Sequence, residues 1–258
     1  MIRRVASGWR AALLLLALGG AWELYVDLGA VSPLILPAPH AIAAALYDDR
    51  SLLWSNFLVT AQEVLLGILL AALAALVIAT AMHFSRATRR AVYPLLIASQ
   101  TIPIPMLAPV LVLWLGFGIR PKLIVIGLVS FFSIVVTTLA GFAAVDPELI
   151  KLMRTFDASR RRIFFSVELP SALPGVFTGA KIAVIFAVLG AVFAEQAGAD
   201  SGLGYIFEQS VNQLLTARAF ASVAILSAFA ILLFGALTAA ERIAVPWAYR
   251  PIGDVPHR

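Results

Sequence analysis

The residues with the most chemistry to offer fall in a short basic stretch, 146–168, and at a few polar positions inside long apolar runs. Asp146-Pro147-Glu148 reads as a helix start. Asp accepts a bond from a free backbone N–H, Pro suits the first helical position, and Glu favours the positive end of the helix dipole. Leu149, Leu152, Met153 and Phe156 then recur at the spacing of one apolar helix face, with Lys151 and Arg154 pointing elsewhere. A break at Asp157-Ala158-Ser159 leads into a second short helical stretch, 160–168, which Leu169-Pro170 and again Leu173-Pro174 are expected to end. A helix, turn and helix of this kind offers docking rather than bond-making. An ordinary basic loop laying its apolar face on lipid has the same composition.

The other polar groups sit where water is scarce. Gln100 and Thr101 adjoin Pro103, Pro105 and Pro109, which interrupt an apolar run and free carbonyls that neighbouring helices, side chains or water must satisfy. A broken helix of this sort can line a passage, with Gln100, Thr101 and Pro103 at its edge, or be a kink used only for packing. Thr in such helices often bonds its own backbone. Glu195 and Gln196 close another apolar run; a carboxylate there is expected to act at a gate or to reach outer water. Lys181 lies in the same run, too far along it to pair with Glu195. No catalytic or metal site is expected. His40, His83 and His257 are scattered without ligand spacing, cysteine is absent, and neither a phosphate-cradling Gly-Lys loop nor a Gly-x-Ser-x-Gly motif occurs.

The elements that position these residues are membrane spans. Of 258 residues, 62% are hydrophobic and 13% charged, about half the charged share of a soluble domain. The apolar runs reach the roughly twenty residues that a helix needs to cross a bilayer. They cover 11–28, 57–82, 92–115, 123–144, 172–194 and 220–243, about six transmembrane helices in an all-α integral membrane fold. The first run resembles a signal peptide, but Trp22 and Tyr25 suit a retained helix ending at an interface. With the N-terminus in the cytoplasm, the clusters Arg3/Arg4/Arg10, Arg86/Arg89/Arg90, Lys151/Arg154/Arg160/Arg161/Arg162 and Arg242/Arg250/Arg258 share that side. Arg50, Arg120, Lys122 and Arg218 face outward. The bias places both termini inside and explains the formal charge of +5 without nucleic acid. The chain divides into 1–56 (first helix and outer segment), 57–245 (transmembrane domain with an inner loop at 146–170) and 246–258 (cytoplasmic tail).

The run from Asp146 through Ser159, continuing Val167-Glu168-Leu169-Pro170-Ser171-Ala172-Leu173-Pro174-Gly175, resembles the cytoplasmic signature loop of binding-protein-dependent ABC importer permeases. That family has Glu-Ala-Ala, a Gly three residues further on, then an aliphatic residue, any residue and Leu-Pro. Lys151-Leu152-Met153 stands where Glu-Ala-Ala is usual and Asp157 where Gly is usual; Val167, Leu169 and Pro170 match. Asp tolerates the left-handed conformation of such a turn better than most non-Gly residues. Leu36-Pro37-Ala38-Pro39, Gln100-Thr101-Ile102-Pro103, Ala108-Pro109, Trp114-Leu115-Gly116-Phe117-Gly118 and Ser201-Gly202-Leu203-Gly204 look like the nitrate, sulfonate, taurine and thiamine-precursor branch.

The resemblance implies a type I importer permease (MetI-like) core in the bacterial inner membrane. It implies a non-catalytic subunit whose Lys151, Arg154, Thr155, Phe156, Asp157, Ala158 and Ser159 couple to a cytoplasmic ATPase dimer. ATP and Mg would be bound by that ATPase, with no cofactor in this chain. Further implied partners are a second permease copy and a periplasmic or lipid-anchored substrate-binding protein, besides membrane lipid. The implied cargo is a small polar or anionic solute, with a lean to a thiamine pyrimidine precursor. The competing expectation is an ATP-independent secondary transporter or channel, which should carry paired ionisable groups at mid-membrane or inverted repeats. Neither is evident in the sequence.

Overall fold

The computed structural model describes residues 2–29 and 31–249, and among these all regular structure is helical. In chain order the helices are α1 (Ile2–Asp27), α2 (Pro39–Asp48), α3 (Arg50–Phe84), α4 (Arg86–Ser99), α5 (Ile104–Leu115), α6 (Ile119–Ala143), α7 (Pro147–Thr155), α8 (Arg160–Ile163), α9 (Leu169–Gln196), α10 (Leu203–Asn212) and α11 (Thr216–Ala244). A π-helical turn, Phe164–Glu168, joins α8 to α9, and a 3₁₀ turn, Pro246–Tyr249, follows α11. The tail beyond Tyr249, with Arg250 and Arg258, lies outside the described residues, as do the side chains of Arg3 and Arg4.

Among the described residues, four helical stretches are long and apolar enough to cross a membrane: α3, α6, the continuous helix Arg160–Gln196, and α11. The α4–α5 pair makes a fifth if counted as one broken span. α1, 26 residues long, is the counterpart of the first expected span. The break in the third apolar region follows the prolines: α4 and α5 meet at a bend of 102° across Gln100–Pro103, with Pro103 as the N-cap of α5. One expected stop is absent. Leu169-Pro170 and Leu173-Pro174 do not end the helix that begins at Arg160. The π turn widens the backbone just before Pro170, with Leu169 N–H bonding Phe164 C=O, so the missing proline N–H falls where the α pattern is already interrupted.

The chain forms two compact units. One comprises the chain up to Val59 together with Asp200–Ser227. In it Arg218 grips Asp49 with two bonds, of 2.6 and 2.9 Å, and Thr216 Oγ1 donates to Leu34 C=O. Gly202 N–H donates to Asn56 Oδ1 at 2.7 Å; its φ of +114° is one that only glycine takes without strain. The other unit comprises Thr60–Ala199 and the chain from Ala228. Its core is α6 against α9. Half of the apolar window of α6 is buried, against 17% for α11, so α6 is the centre and α11 is largely free to meet lipid or a partner. A Cβ on Gly179 of α9 would lie 2.6 Å from Ile134 Cα of α6. Only a small residue permits that approach, the usual means of packing helices where the hydrophobic effect gives no preference between lipid and protein.

Candidate functional site: the 146–168 loop and its anchors

Asp146 caps α7 by accepting the N–H of Glu148 at 2.8 Å, with Pro147 at the first helical position, as the sequence predicts. No residue of α7 is buried. Leu149, Leu152 and Phe156, on one face, are 42%, 52% and 75% exposed, although they are the apolar side of the helix. Lys151 pairs only with Glu148 on the surface, and Thr155 Oγ1 bonds its own turn at Leu152 C=O.

The helix ends in a Schellman motif. Ala158 N–H bonds Met153 C=O at 3.1 Å, Asp157 N–H bonds Arg154 C=O at 3.0 Å, and Asp157 itself takes φ +53°. Asp157 therefore performs the left-handed turn expected of it. Ser159 then starts the next helix by accepting from Arg162 N–H at 3.3 Å. Arg154, Phe156, Asp157 and Ser159 are all exposed and Ala158 is partly so; the segment is a hydrogen-bonded corner that the rest of the chain leaves uncovered.

The corner is tied to the bundle through a residue the sequence reading passed over. Glu168 is 2% exposed and accepts from Arg160 at 2.7 Å. Its other oxygen lies 3.1 Å from His83 Nε2, off the line of a hydrogen bond, and Arg160 Nη2 comes within 3.3 Å of the same ring nitrogen. The His83 ring stacks on Phe142 at 4.5 Å, and Phe164 packs against Phe84 and Phe142. The ends of α3 and α6 thus hold the base of the loop. A lone Glu beside the Leu-Pro pair was the available signal, but its partners lie 8 and 85 residues away in the chain.

At the bend, Thr101 Oγ1 bonds Ala98 C=O and Gln100 Nε2 bonds Ser99 Oγ, so Thr101 takes the self-bonding role. Both are exposed. Glu195 does not reach outer water: it is fully buried and accepts from Thr60 Oγ1 at 2.6 Å, while Gln196 beside it is partly buried. Glu195 belongs instead to a polar cluster that the sequence reading missed. Lys122, expected to face outward, is 6% exposed and donates to Glu63 Oε1 at 2.6 Å, and Glu195 lies within hydrogen-bonding reach of Glu63. Lys181, left unpaired by the sequence, meets Glu241 at 2.8 Å, and Tyr249 O–H donates to the same carboxylate. That bond holds the Tyr249 phenol above its ordinary pKa. Paired ionisable groups therefore do exist inside the spans. Lys122 is in the first turn of α6 and Glu195 in the last turn of α9, so this pair marks a span end rather than mid-membrane.

In the other unit, His40 pairs with Glu23, and its pKa is raised first by that hydrogen bond and then by the carboxylate charge. Asp27 is near enough that the three residues could hold a metal ion, but Glu23 is already committed to the His40 ring and backbone N–H.

Residues 63–245 match the family described as the binding-protein-dependent transport system inner membrane component. The formylaminopyrimidine transport permease protein ThiX of Halalkalibacterium halodurans is 35% identical over 95% of this chain and 98% of its own. The putative aliphatic sulfonates transport permease protein SsuC of Bacillus subtilis is 30% identical over 95% of this chain and 90% of its own. The taurine transport system permease protein TauC of Escherichia coli is 28% identical over 88% and 85%. Among solved structures, a crystal structure of an amino acid ABC transporter with histidines aligns with a TM-score of 0.61 and 15% identity, over 79% of this chain and 97% of that one, a likeness of fold.

Proposed function

Because the chain belongs to the family of inner-membrane components of binding-protein-dependent transport systems, and is a multi-pass permease subunit of an ABC importer, we propose that its loop 146–168 is the input for ATP-driven motion. The observation that carries this is α7: an apolar helix face that the chain's own fold leaves uncovered, ended by a Schellman corner and anchored at its base by the buried Glu168.

On this reading both termini are cytoplasmic, and two copies of the chain pair, each offering α7 and residues 154–159 to one subunit of a separate ATPase that binds ATP and Mg. ATP-driven closure of the ATPases draws the two corners together and turns the spans outward; hydrolysis resets them. α2 and the α10–α11 connection border a cavity of about 670 Å³ edged by Asp48, Asp49 and Arg218, on the side that would meet the substrate-binding protein. Relatives named for formylaminopyrimidine, sulfonates and taurine support a small polar or anionic organic cargo, the pyrimidine type first by identity.

The ATP-independent transporter gains two ion pairs inside the spans, Glu63–Lys122 and Lys181–Glu241, but Lys122 stands in the first turn of α6 and Glu241 in the last turn of α11, and both pairs are largely buried, which fits structural clamps better than a relay. Gentle solubilisation of the tagged chain from its native membrane, followed by mass spectrometry, separates the two. An ATPase should co-purify in near-equal amount and be lost when residues 154–159 are replaced by a Gly-Ser run. Its absence under several mild detergents would favour the ATP-independent reading.

A further inference from the structure

α4 begins with a set of cations that the fold leaves uncompensated. Arg86, Arg89, Arg90 and Tyr93 stand at i, i+3, i+4 and i+7, one face of the helix, and with Pro94 they line a cavity of about 530 Å³. None of the three arginines takes part in an ion pair or side-chain hydrogen bond among the described residues. Arg160, Arg218, Lys122, Lys151 and Lys181 each meet a carboxylate. Ser85 has already capped Thr88 N–H, and the first turn of α4 holds no acidic residue, so the helix dipole adds to the positive field rather than offsetting it. Like charges on one helix face destabilise each other. A counter-anion in the cavity would remove that cost.

Proline supplies a further feature. Pro94 has no N–H to return to the carbonyl of Arg90, which leaves an acceptor on the same side as the guanidinium groups. Arginine forks match phosphate oxygens, and a free carbonyl suits a hydroxyl beside the phosphate. Tyr93 is 38% exposed one turn deeper along α4, where a phenol sits at a headgroup boundary.

We propose that Arg86, Arg89, Arg90 and Tyr93 form a binding site for a phosphate-bearing anion, supplied by the headgroup of a hydroxylated anionic lipid of the inner leaflet. The leaflet assignment rests on the cytoplasmic placement of the loops proposed above. Bound there, the lipid fixes the first half of the broken α4–α5 pair against the membrane surface while the 102° bend leaves α5 free to follow the bundle.

The test is native mass spectrometry of the full-length protein in detergent, titrated with phosphatidylglycerol. Each arginine near a charged membrane surface is worth about fivefold in affinity, so R86Q/R89Q/R90Q should weaken retention of one lipid by about a hundredfold. R161Q/R162Q, which removes similar charge elsewhere, should not. If the triple variant fails to fold, the single R89Q should still show its fivefold step. Millimolar inorganic phosphate that leaves the lipid in place identifies the headgroup as the source, and competition by phosphate alone would assign the same site to a free anion. Equal lipid retention by the wild type and the triple variant would overturn the proposal. An Ala87→Cys label, clean because the chain has no cysteine, reads the topology separately. Labelling from outside the cell would refute the leaflet assignment without bearing on the phosphate site.

Discussion

Lys122→Met is expected to lower the stability of the solubilised protein by about 3–5 kcal/mol, the loss typical of removing one member of a buried ion pair. The ammonium is the cation recorded against Glu63, and Glu195 lies beside the same carboxylate. Without it two buried carboxyl groups face each other with Thr60 as a neutral donor. The companion Glu63→Met should cost less than the sum suggests. In the double variant, Lys122→Met with Glu63→Met, most of the loss should return, because a well-packed apolar pair avoids the desolvation that the ions suffer. Thermal unfolding followed by the fluorescence of the chain's five tryptophans reads all three. A double variant as unstable as the single one would show that the pair is not the source of the effect. The neighbourhood leaves little room for relaxation: one turn along α3 from Glu63, a Cβ on Gly67 would fall 2.4 Å from Ile126 Cγ2 of α6.

The second large effect is expected at the corner of the inner loop. Asp157 holds φ +53°, a conformation that costs an L-residue about 1–2 kcal/mol and glycine nothing. Asp157→Gly should therefore keep or strengthen both ATPase association and uptake. Asp157→Val adds a β-branched side chain to the same backbone and should dissolve the Schellman bonds from Ala158 to Met153 and from Asp157 to Arg154. Association with the ATPase should fall about tenfold or more, the equivalent of the strain it imposes. The bundle should lose nothing in melting temperature, since no residue of α7 is buried. Equal association by the Gly and Val variants would mean that the corner's geometry is not what the partner reads.

These two sites differ in how far the sequence exposes them. The inner loop is legible because its signals are local. An Asp-Pro-Glu start, an apolar face at helical spacing and a turn residue able to go left-handed each refer to neighbours within one or two turns, and each stands where expected. The bend at Gln100–Pro103 is legible for the same reason, since a proline's missing N–H and fixed φ are local obstacles to the helix before it. The buried cluster is not. Glu63 is swallowed by a long apolar run, and Lys122 beside Arg120 and Pro121 looks like a loop charge. Only the packing of α3 on α6 brings them together across a sequence separation of 59. A polar stripe Thr60, Glu63 and Gly67 on one face of a span was the available hint. Pro170 shows the converse: a local signal overruled by a π turn that lets a continuous helix absorb it. Lys181 needed Glu241, 60 residues on, before its place in a span made sense.

Substrate choice is legible in neither. Relatives named for three different cargoes match the chain at 28–35% identity over most of its length. In physical terms, the permease's specific chemistry is concentrated where it holds itself together and where it meets its partners.

The direct test of the coupling claim is a single cysteine in this cysteine-free chain. With Ala158→Cys in native membranes, a short bifunctional thiol cross-linker should join the permease to an ATPase subunit. The yield should differ between the nucleotide-free and ATP-bound states if, as proposed, closure of the ATPases moves the corner. No adduct at Ala158 in membranes that contain the ATPase, or a yield indifferent to nucleotide, would contradict the assignment of this loop as the site where ATP-driven motion enters the protein.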